Sequence, residues 1–373
     1  MKIIIAPQSF KGCASALTIA STIAAGVHRA FPKAELLIVP IADGGDDTLD
    51  ILLAAKGGLR YLCSASGPLN KPKSVYWGAL TNAFPKIAII ESARVCGLAS
   101  LENKNRNPLF TTTYGLGELI NDALKNGYNR LFIGLGGSAT NDAGTGMAQA
   151  LGVRFLDSKG KELPKGGKFL IHLDHIDVSN LNPLIHNAEF IAGCDVNNPL
   201  LGPSGASLVF SPQKGASIEM AGKLEKALEN FTRVVKKQFH IDLAKSPFLG
   251  SSGGTAASLL LFCQAQLVSG AQWILNEIGF DQMLVNADLV ITGEGCIDFQ
   301  TASNKAPFAV AQIAKKKNIP VIAIVGSMGA EAEVFIGQEF NSISASSQFS
   351  KTIPKNALQL IQKTAENAVK LFN

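Results

Sequence analysis

Aromatic residues are scarce in this chain of 373 residues: 7% of positions, with only two tryptophans, and they do not alternate with lysine or arginine. Nucleic-acid surfaces combine basic stripes with stacking rings, so a nucleic-acid partner is not expected. Charge is also modest at 17%, and the net +5 comes without a polybasic block. That balance suits small anionic ligands better than a membrane surface. The six cysteines (13, 63, 96, 194, 263, 296) lie far apart and never form C-x-x-C. This argues against a zinc site or disulfide framework and fits a reducing cytoplasm. Long hydrophobic runs are missing too. Ile3 to Ala6 is too short for a signal-peptide core, and the uncharged stretch Ser246 to Asn276 carries Pro247, four glycines and three glutamines. A spanning helix of about 20 residues would tolerate these poorly.

Apolar residues, by contrast, make up 47% of the chain, enough for a large core, and the length suggests two domains. Lys2 to Ala6 and Glu35 to Pro40 read as strands, each followed by a polar glycine loop and a helix: Ser15 to about Ala30, then Leu49 to Ala55. The same grammar returns near the C-terminus. Strands at Ala287 to Thr292 and Ile319 to Val325 lead into Gly293-Glu294-Gly295 and Gly326-Ser327, with helices at Lys305 to Lys316 and Ala357 to Phe372. Between these ends the strands are shorter and separated by Pro/Gly/Asn clusters. The expected architecture is α/β: a flavodoxin- or Rossmann-like parallel-sheet domain formed by residues 1–58 and 283–373, with a second α/β domain, 59–282, inserted into it.

The richest stretch is Asn129 to Gln149. An apolar strand runs into Gly134, Gly136 and Gly137, then Ser138, Thr140, Asn141 and Asp142, then Gly144 and Gly146. Glycines allow close backbone approach and positive φ, and a helix start leaves N–H donors free for an anion. The spacing is neither the P-loop nor a clean G-x-G-x-x-G. Ser138 also lacks the G-x-S-x-G elbow of serine hydrolases. A phosphate cradle made by backbone N–H groups at 136–138 is the reading. Asp43, Asp142, Asp195, Glu294 and Asp298 are carboxylates just after expected strands, while Lys11, Lys214 and Lys305 are cations in turns. Taken singly, loop aspartates more often cap helices. Together at strand ends, they supply the positioning and charge neutralisation that phosphoryl transfer needs. His172, Asp174, His175 and Asp177 resemble a metal box only in composition and read as a solvated loop.

Seven segments then fall into a pattern: I-A-P-Q-S-F-K-G (5–12), P-I-A-D-G-G (40–45), T-T-Y-G-L-G-E-L-I (112–120), G-L-G-G-S-A-T-N-D (134–142), C-D-V-N-N-P-L (194–200), V-F-S-P-Q-K-G-A (209–216) and T-G-E-G-C-I-D-F-Q-T (292–301). In this order they resemble the bacterial glycerate kinase family over nearly the whole chain. The resemblance implies ATP-dependent phosphorylation of D-glycerate to 2-phosphoglycerate or 3-phosphoglycerate, with Mg2+, by a cytoplasmic monomer or homodimer. The site residues expected on this basis are Asp195, Lys11 and Asp43 for catalysis, Ser9, Arg94 and Lys214 for substrate, and Asp298 for the metal. Gly136, Gly137, Ser138, Asn141, Asp142, Gly293, Glu294 and Lys305 are expected at the nucleotide. The family pattern is interrupted at Gln8, at Asp46-Asp47, at Cys296, at Asn304 and in L-G-S-S-G-G (249–254). A divergent kinase for another hydroxy-acid, or a ligand-binding protein without turnover, is the alternative these departures leave.

Overall fold

The computed structural model describes residues 1–83, 85–194, 196–297, 305–347 and 353–372. They form two compact units, Met1–Asp43 with Ala271–Asn373, and Gly44–Gly270.

In the first unit, five strands make one wholly parallel sheet in the order Ser342–Ala345, Val321–Val325, Leu289–Gly293, Lys2–Pro7, Glu35–Ile38. Numbered along the chain, that is 5-4-3-1-2, the flavodoxin-like order, interrupted after its second strand. Parallel sheets bury both faces, so the central strands are continuous apolar runs rather than alternating ones. Ile3, Ile4, Ile5, Leu289, Val290 and Ile291 are all fully buried. Helices Ala16–Ala30 and Ala357–Lys370 share a core with Ile3, Ile5, Ile322 and Ile324. They approach closely at Gly26, where a Cβ would stand 2.2 Å from the carbonyl oxygen of Gln362. The Ser15 hydroxyl caps the first of these helices by accepting from Thr18 N–H.

The second unit is built on a mixed six-stranded sheet, Gln266–Ser269, Glu189–Cys194, Arg130–Leu135, Ile87–Glu91, Pro72–Leu80, Leu59–Ser66. The first four are parallel, Pro72–Leu80 runs antiparallel to them, and Leu59–Ser66 pairs antiparallel with it as a hairpin. Trp77, Phe155 and Phe231 lie at the centre of its core. The division between units falls at 43/44 and 270/271, so residues 44–58 and 271–282 lie across it from the boundaries read in the sequence. Helix Thr48–Lys56 explains the first shift. Its Leu49 and Leu52 are buried, and Leu49 N–H donates to Glu91 Oε1 at 2.8 Å. Just before it, Gly44 at φ +97° lies backbone to backbone against Gly134, whose Cβ would meet Gly44 O at 2.2 Å.

The sequence reading has no helix at Ile218–Phe239, which is 22 residues long, and no strand at Gln266–Ser269. The helix is rich in Lys and Glu, but Leu224, Leu228, Phe231 and Val235 recur every three or four residues and face the core. The stretch His172 to Asp177, read as a solvated loop, is in part a strand, since His175–Asp177 pairs antiparallel with Arg154–Leu156.

Candidate active site

Strand Arg130–Leu135 delivers the glycine loop, and Asp142 holds that loop from within. Its Oδ2 accepts from Thr113 N–H (2.8 Å), Thr113 Oγ1–H (2.9 Å) and Gly146 N–H (3.3 Å), and its Oδ1 from Gly144 N–H (3.2 Å). Burial pushes the pKa of Asp142 up, while the bonds from Thr113, Gly144 and Gly146 pull the other way without cancelling it. Thr111 Oγ1 donates to Ala139 O at 2.7 Å, and Met147 N–H donates to Thr113 Oγ1 at 2.9 Å. The three consecutive threonines 111–113 are therefore the mould of the loop. The sequence carries a signal for them, β-branched hydroxyl residues just before a helix with two of them opening the segment 112–120, but it assigns none of them to the site.

A second glycine segment closes the loop from the other side. Ser252, Gly253 and Gly254 all take left-handed backbone, and Ala143 N–H donates to Gly253 O at 3.1 Å. A Cβ on Gly253 would stand 2.0 Å from Thr140 O, so that contact needs glycine.

Into this frame comes Lys214, at the end of the short turn Pro212–Lys214 and only 4% exposed. Its ammonium donates to Thr140 O at 2.7 Å and to Ser138 Oγ at 3.2 Å. Asn141 is fully buried and donates to Ser207 Oγ at 3.1 Å. Asn141 Oδ1, Thr140 Oγ1, Ser211 Oγ and Ser252 Oγ are buried with no hydrogen-bond partner among the described residues. Buried polar atoms are normally satisfied, and such a group on adjoining segments marks a place for ligand or water. A buried ammonium among hydroxyls can gather an oxyanion by charge-assisted hydrogen bonds.

The cradle differs in detail from the sequence reading. Gly136 N–H faces Ser92 Oγ at 3.5 Å, Ala139 N–H donates to Cys96 O at 2.8 Å, and the following helix, Thr145–Ala150, is short. Gly137 is at φ +62°, and a Cβ there would make ordinary contacts, 3.4 Å from Ala93 Cβ and 3.5 Å from both carboxylate oxygens of Asp46. Asp46 therefore borders the loop, a neighbour the sequence reading did not assign to the site.

Arg94 has a different setting. Its guanidinium pairs with the buried Glu91, reaches Asp50 Oδ2 at 2.7 Å, donates to the Tyr76 hydroxyl and lies over the Tyr76 ring. Burial pushes Glu91 up to about 7, against the pull of Arg94 and of the Leu49 N–H.

In the first unit, the carboxyl edge of the parallel sheet brings another set together. Pro7 pairs with Gly293, and Gln8 N–H donates to Gly293 O at 2.8 Å. Glu294, 4% exposed, meets Lys305 at 3.3 Å, with Lys305 standing just before helix Ala306–Lys316. Lys11, exposed, lies in the loop closed by the Phe10–Ala14 bridge, and Ser9 stands just before that bridge. Gln8 is 4% exposed, and its Oε1 has no partner among the described residues. Asp43 is buried at the end of the unit's first segment. Asp195 and Asp298 lie outside the described residues. Among those described, no three His, Cys, Asp or Glu side chains come together as a metal cluster. Likewise, no described helix is long and apolar enough to cross a membrane. Cys96 and Cys263 are inert by position, with burial pushing both thiols up to about 12.

The glycerate kinase family model matches residues 3–373. A glycerate 2-kinase from Escherichia coli K12 is 42% identical over 328 residues, covering 88% of this chain and 86% of that protein. A glycerate kinase from Bacillus subtilis 168 is 44% identical over 332 residues, covering 89% and 86%. A crystal structure of a glycerate kinase 2 from Salmonella typhimurium LT2 superposes with a TM-score of 0.81 at 38% identity, covering 100% of this chain and 98% of that one.

Proposed function

The chain belongs to the glycerate kinase family, a family of phosphotransferases, and from that premise we propose that it phosphorylates D-glycerate with ATP in the cytoplasm. A glycerate hydroxyl oxygen attacks the γ-phosphorus, the bond to the bridging oxygen breaks, and ADP leaves with the electron pair. The hydroxyl proton goes to a carboxylate, for which Asp195, next after strand Glu189–Cys194, is proposed and Asp43 is the rival. The product is 2-phosphoglycerate on this reading, with 3-phosphoglycerate the other regiochemistry.

The observation that carries the proposal is the meeting of Lys214 with Ser138 and Thr140 of the glycine loop. A buried ammonium that touches the loop proposed for nucleotide phosphates, and is itself proposed for substrate, stands where the transferred group passes. Phosphoryl transfer depends on such positioning and charge neutralisation. Within the first unit, Lys305, held by Glu294, is the cation proposed for the nucleotide, and Lys11 is the one proposed for catalysis. Mg2+ commonly rides on nucleotide phosphates with one or two carboxylates, which is the role proposed for Asp298.

The test is ADP release by the purified protein with ATP and each of D-glycerate, L-glycerate and tartronate, with the product resolved by phosphorus NMR. D-glycerate is expected to drive the largest release. ATP binding without release on any acceptor would sink the kinase reading, and preference for another acid would make the chain a divergent kinase.

A further inference from the structure

One cavity in the first unit meets the phosphoryl-transfer chemistry just described only at Lys11. It has a volume of about 100 Å3 and lies over the carboxyl ends of four parallel strands. Phe10 and Lys11 follow the strand Lys2–Pro7, Gly295 follows Leu289–Gly293, Gly326 and Ser327 follow Val321–Val325, and Ser346 and Ser347 follow Ser342–Ala345. Open α/β sheets bind ligands at this edge, near the point where the strand order reverses, which here is between Lys2–Pro7 and Leu289–Gly293.

The walls specify the occupant. Two glycines form part of the floor, packed so closely that a Cβ on Gly326 would stand 2.4 Å from Gly295 O, so no side chain rises from either. Ala357, Leu360 and Ile361 of helix Ala357–Lys370 make an apolar wall. The serine rim is different. Ser346 Oγ and Ser347 Oγ both donate to Gly326 O, at 3.3 and 2.8 Å. The rim N–H groups are also engaged: Gly326 with Glu294 O, Ser327 with Gly295 O, Ser346 with Val325 O and Ser347 with Gly326 O. With those hydrogens spent, the two hydroxyls offer lone pairs to a donor. A side-chain-poor floor, an apolar wall and an accepting rim suit a flat heterocycle carrying an amino group. Lys11, exposed at the mouth, suits the anionic tail such a ring would carry.

We propose that this cavity seats the nucleobase of the phosphoryl donor, and that it takes adenine in preference to guanine. With position 6 turned to the rim, the 6-amino group of adenine would donate to the serine oxygens, whereas the 6-oxo group of guanine in the same pose would face them lone pair to lone pair. The volume is that of a ring rather than of a whole nucleotide, so ribose and phosphates leave through the mouth beside Lys11. The proposal rests on the kinase reading for the identity of the donor.

Cys13, half-exposed, lines the cavity and serves as the reporter. Its alkylation by iodoacetamide is followed by peptide mass spectrometry, with half-exposed Cys63 of the other unit as internal reference. ATP and adenosine are expected to slow labelling of Cys13, while inorganic triphosphate, D-glycerate and guanosine leave it unchanged. In parallel, Ala357→Phe fills the cavity and is expected to raise KM for ATP about tenfold or more while sparing KM for D-glycerate. If that variant does not fold, Ser347→Ala should narrow the preference for ATP over GTP. Phosphorylation of glycerate with neither Cys13 protection nor a change in KM for ATP overturns the base seat and leaves the kinase reading standing. Adenosine protection without any phosphorylation supports the seat and removes the kinase. Protection by triphosphate alone overturns the seat in favour of a phosphate site, and equal protection by guanosine overturns the adenine preference.

Discussion

Two cations of the second unit, Arg94 and Lys214, look alike in the sequence and differ in the folded chain. Both are read as substrate ligands, though Lys214 ends the turn Pro212–Lys214 and Arg94 lies in the short helix Ser92–Cys96. Arg94 is tied to Glu91, Asp50 and Tyr76, and Arg60 pairs with the same Asp50 at 2.7 Å. That cluster links helix Thr48–Lys56 to the strands beside it and leaves little of the guanidinium fork for a ligand. Lys214 makes its described contacts with the glycine loop itself, beside hydroxyl and amide oxygens that have no partner among the described residues. A buried cation points to a site by what surrounds it, not by being buried.

The comparison breaks most easily at Lys214. Lys214→Met keeps the stem and removes the charge, and kcat should fall by about 10²–10³, as when one stabilising donor is removed from an active site. Lys214→Arg should not restore it, because a planar guanidinium does not fit a seat that is 4% exposed and shaped for a point charge. Steady-state kinetics with circular dichroism as the folding control measure both. A kcat within a few-fold of the parent would make Lys214 a structural strut.

How much of this contrast was legible beforehand depends on the range of the interaction. The flavodoxin-like unit is written in local patterns: apolar runs at Lys2–Pro7, Leu289–Gly293 and Val321–Val325, each followed by glycine and polar residues. The glycine loop was legible for the same reason. Its mould was not, because Thr113 and Asp142 are 29 positions apart and meet only in the fold. The partners of Arg94 were hidden likewise, with Asp50 44 positions upstream. Asp142 adds a second lesson: its placement after a strand marks it as a ligand contact, while in the fold two donors of Thr113 and the N–H groups of Gly144 and Gly146 surround it. Chemistry-bearing residue types can be picked from a sequence, whereas their commitments to one another cannot.

The next effect is smaller and falls on stability. Arg94→Lys keeps one charge but cannot serve Glu91, Asp50 and Tyr76 at once. Losing charge-assisted hydrogen bonds there should lower unfolding stability by about 1–3 kcal/mol. KM for D-glycerate should change by less than about threefold, since the bonds that the substitution removes run between groups of the protein itself. Denaturant titration and kinetics on the same preparation give both numbers. A large rise in KM with unchanged stability would put Arg94 at the substrate after all.

The smallest effect concerns Glu91, the buried carboxylate that Arg94 faces, and it is read as a slope rather than a loss. Burial raises Glu91 from 4.5 to about 7, with the Arg94 guanidinium and the Leu49 N–H opposing the rise and the nearby Asp50 adding to it. Between those two values the folded chain holds a proton that the unfolded chain has released. Stability from this group is therefore full below pH 4.5, declines as pH rises to 7, and is level above it. Glu91→Gln imitates the protonated form and can still accept from Leu49 N–H, so the variant should lack that decline. Other carboxylates give slopes of their own, among them Asp157 and Asp242, whose pKa values are lowered by hydrogen bonds and lysines at the surface. The informative quantity is thus the difference between parent and variant, measured as denaturant midpoints from pH 4 to pH 8. The two curves should diverge through the window, with the variant gaining relative stability as pH rises. Parallel curves would mean that Arg94 keeps Glu91 ionised throughout, and the cluster would then be a plain ion pair whose strength does not change near neutral pH.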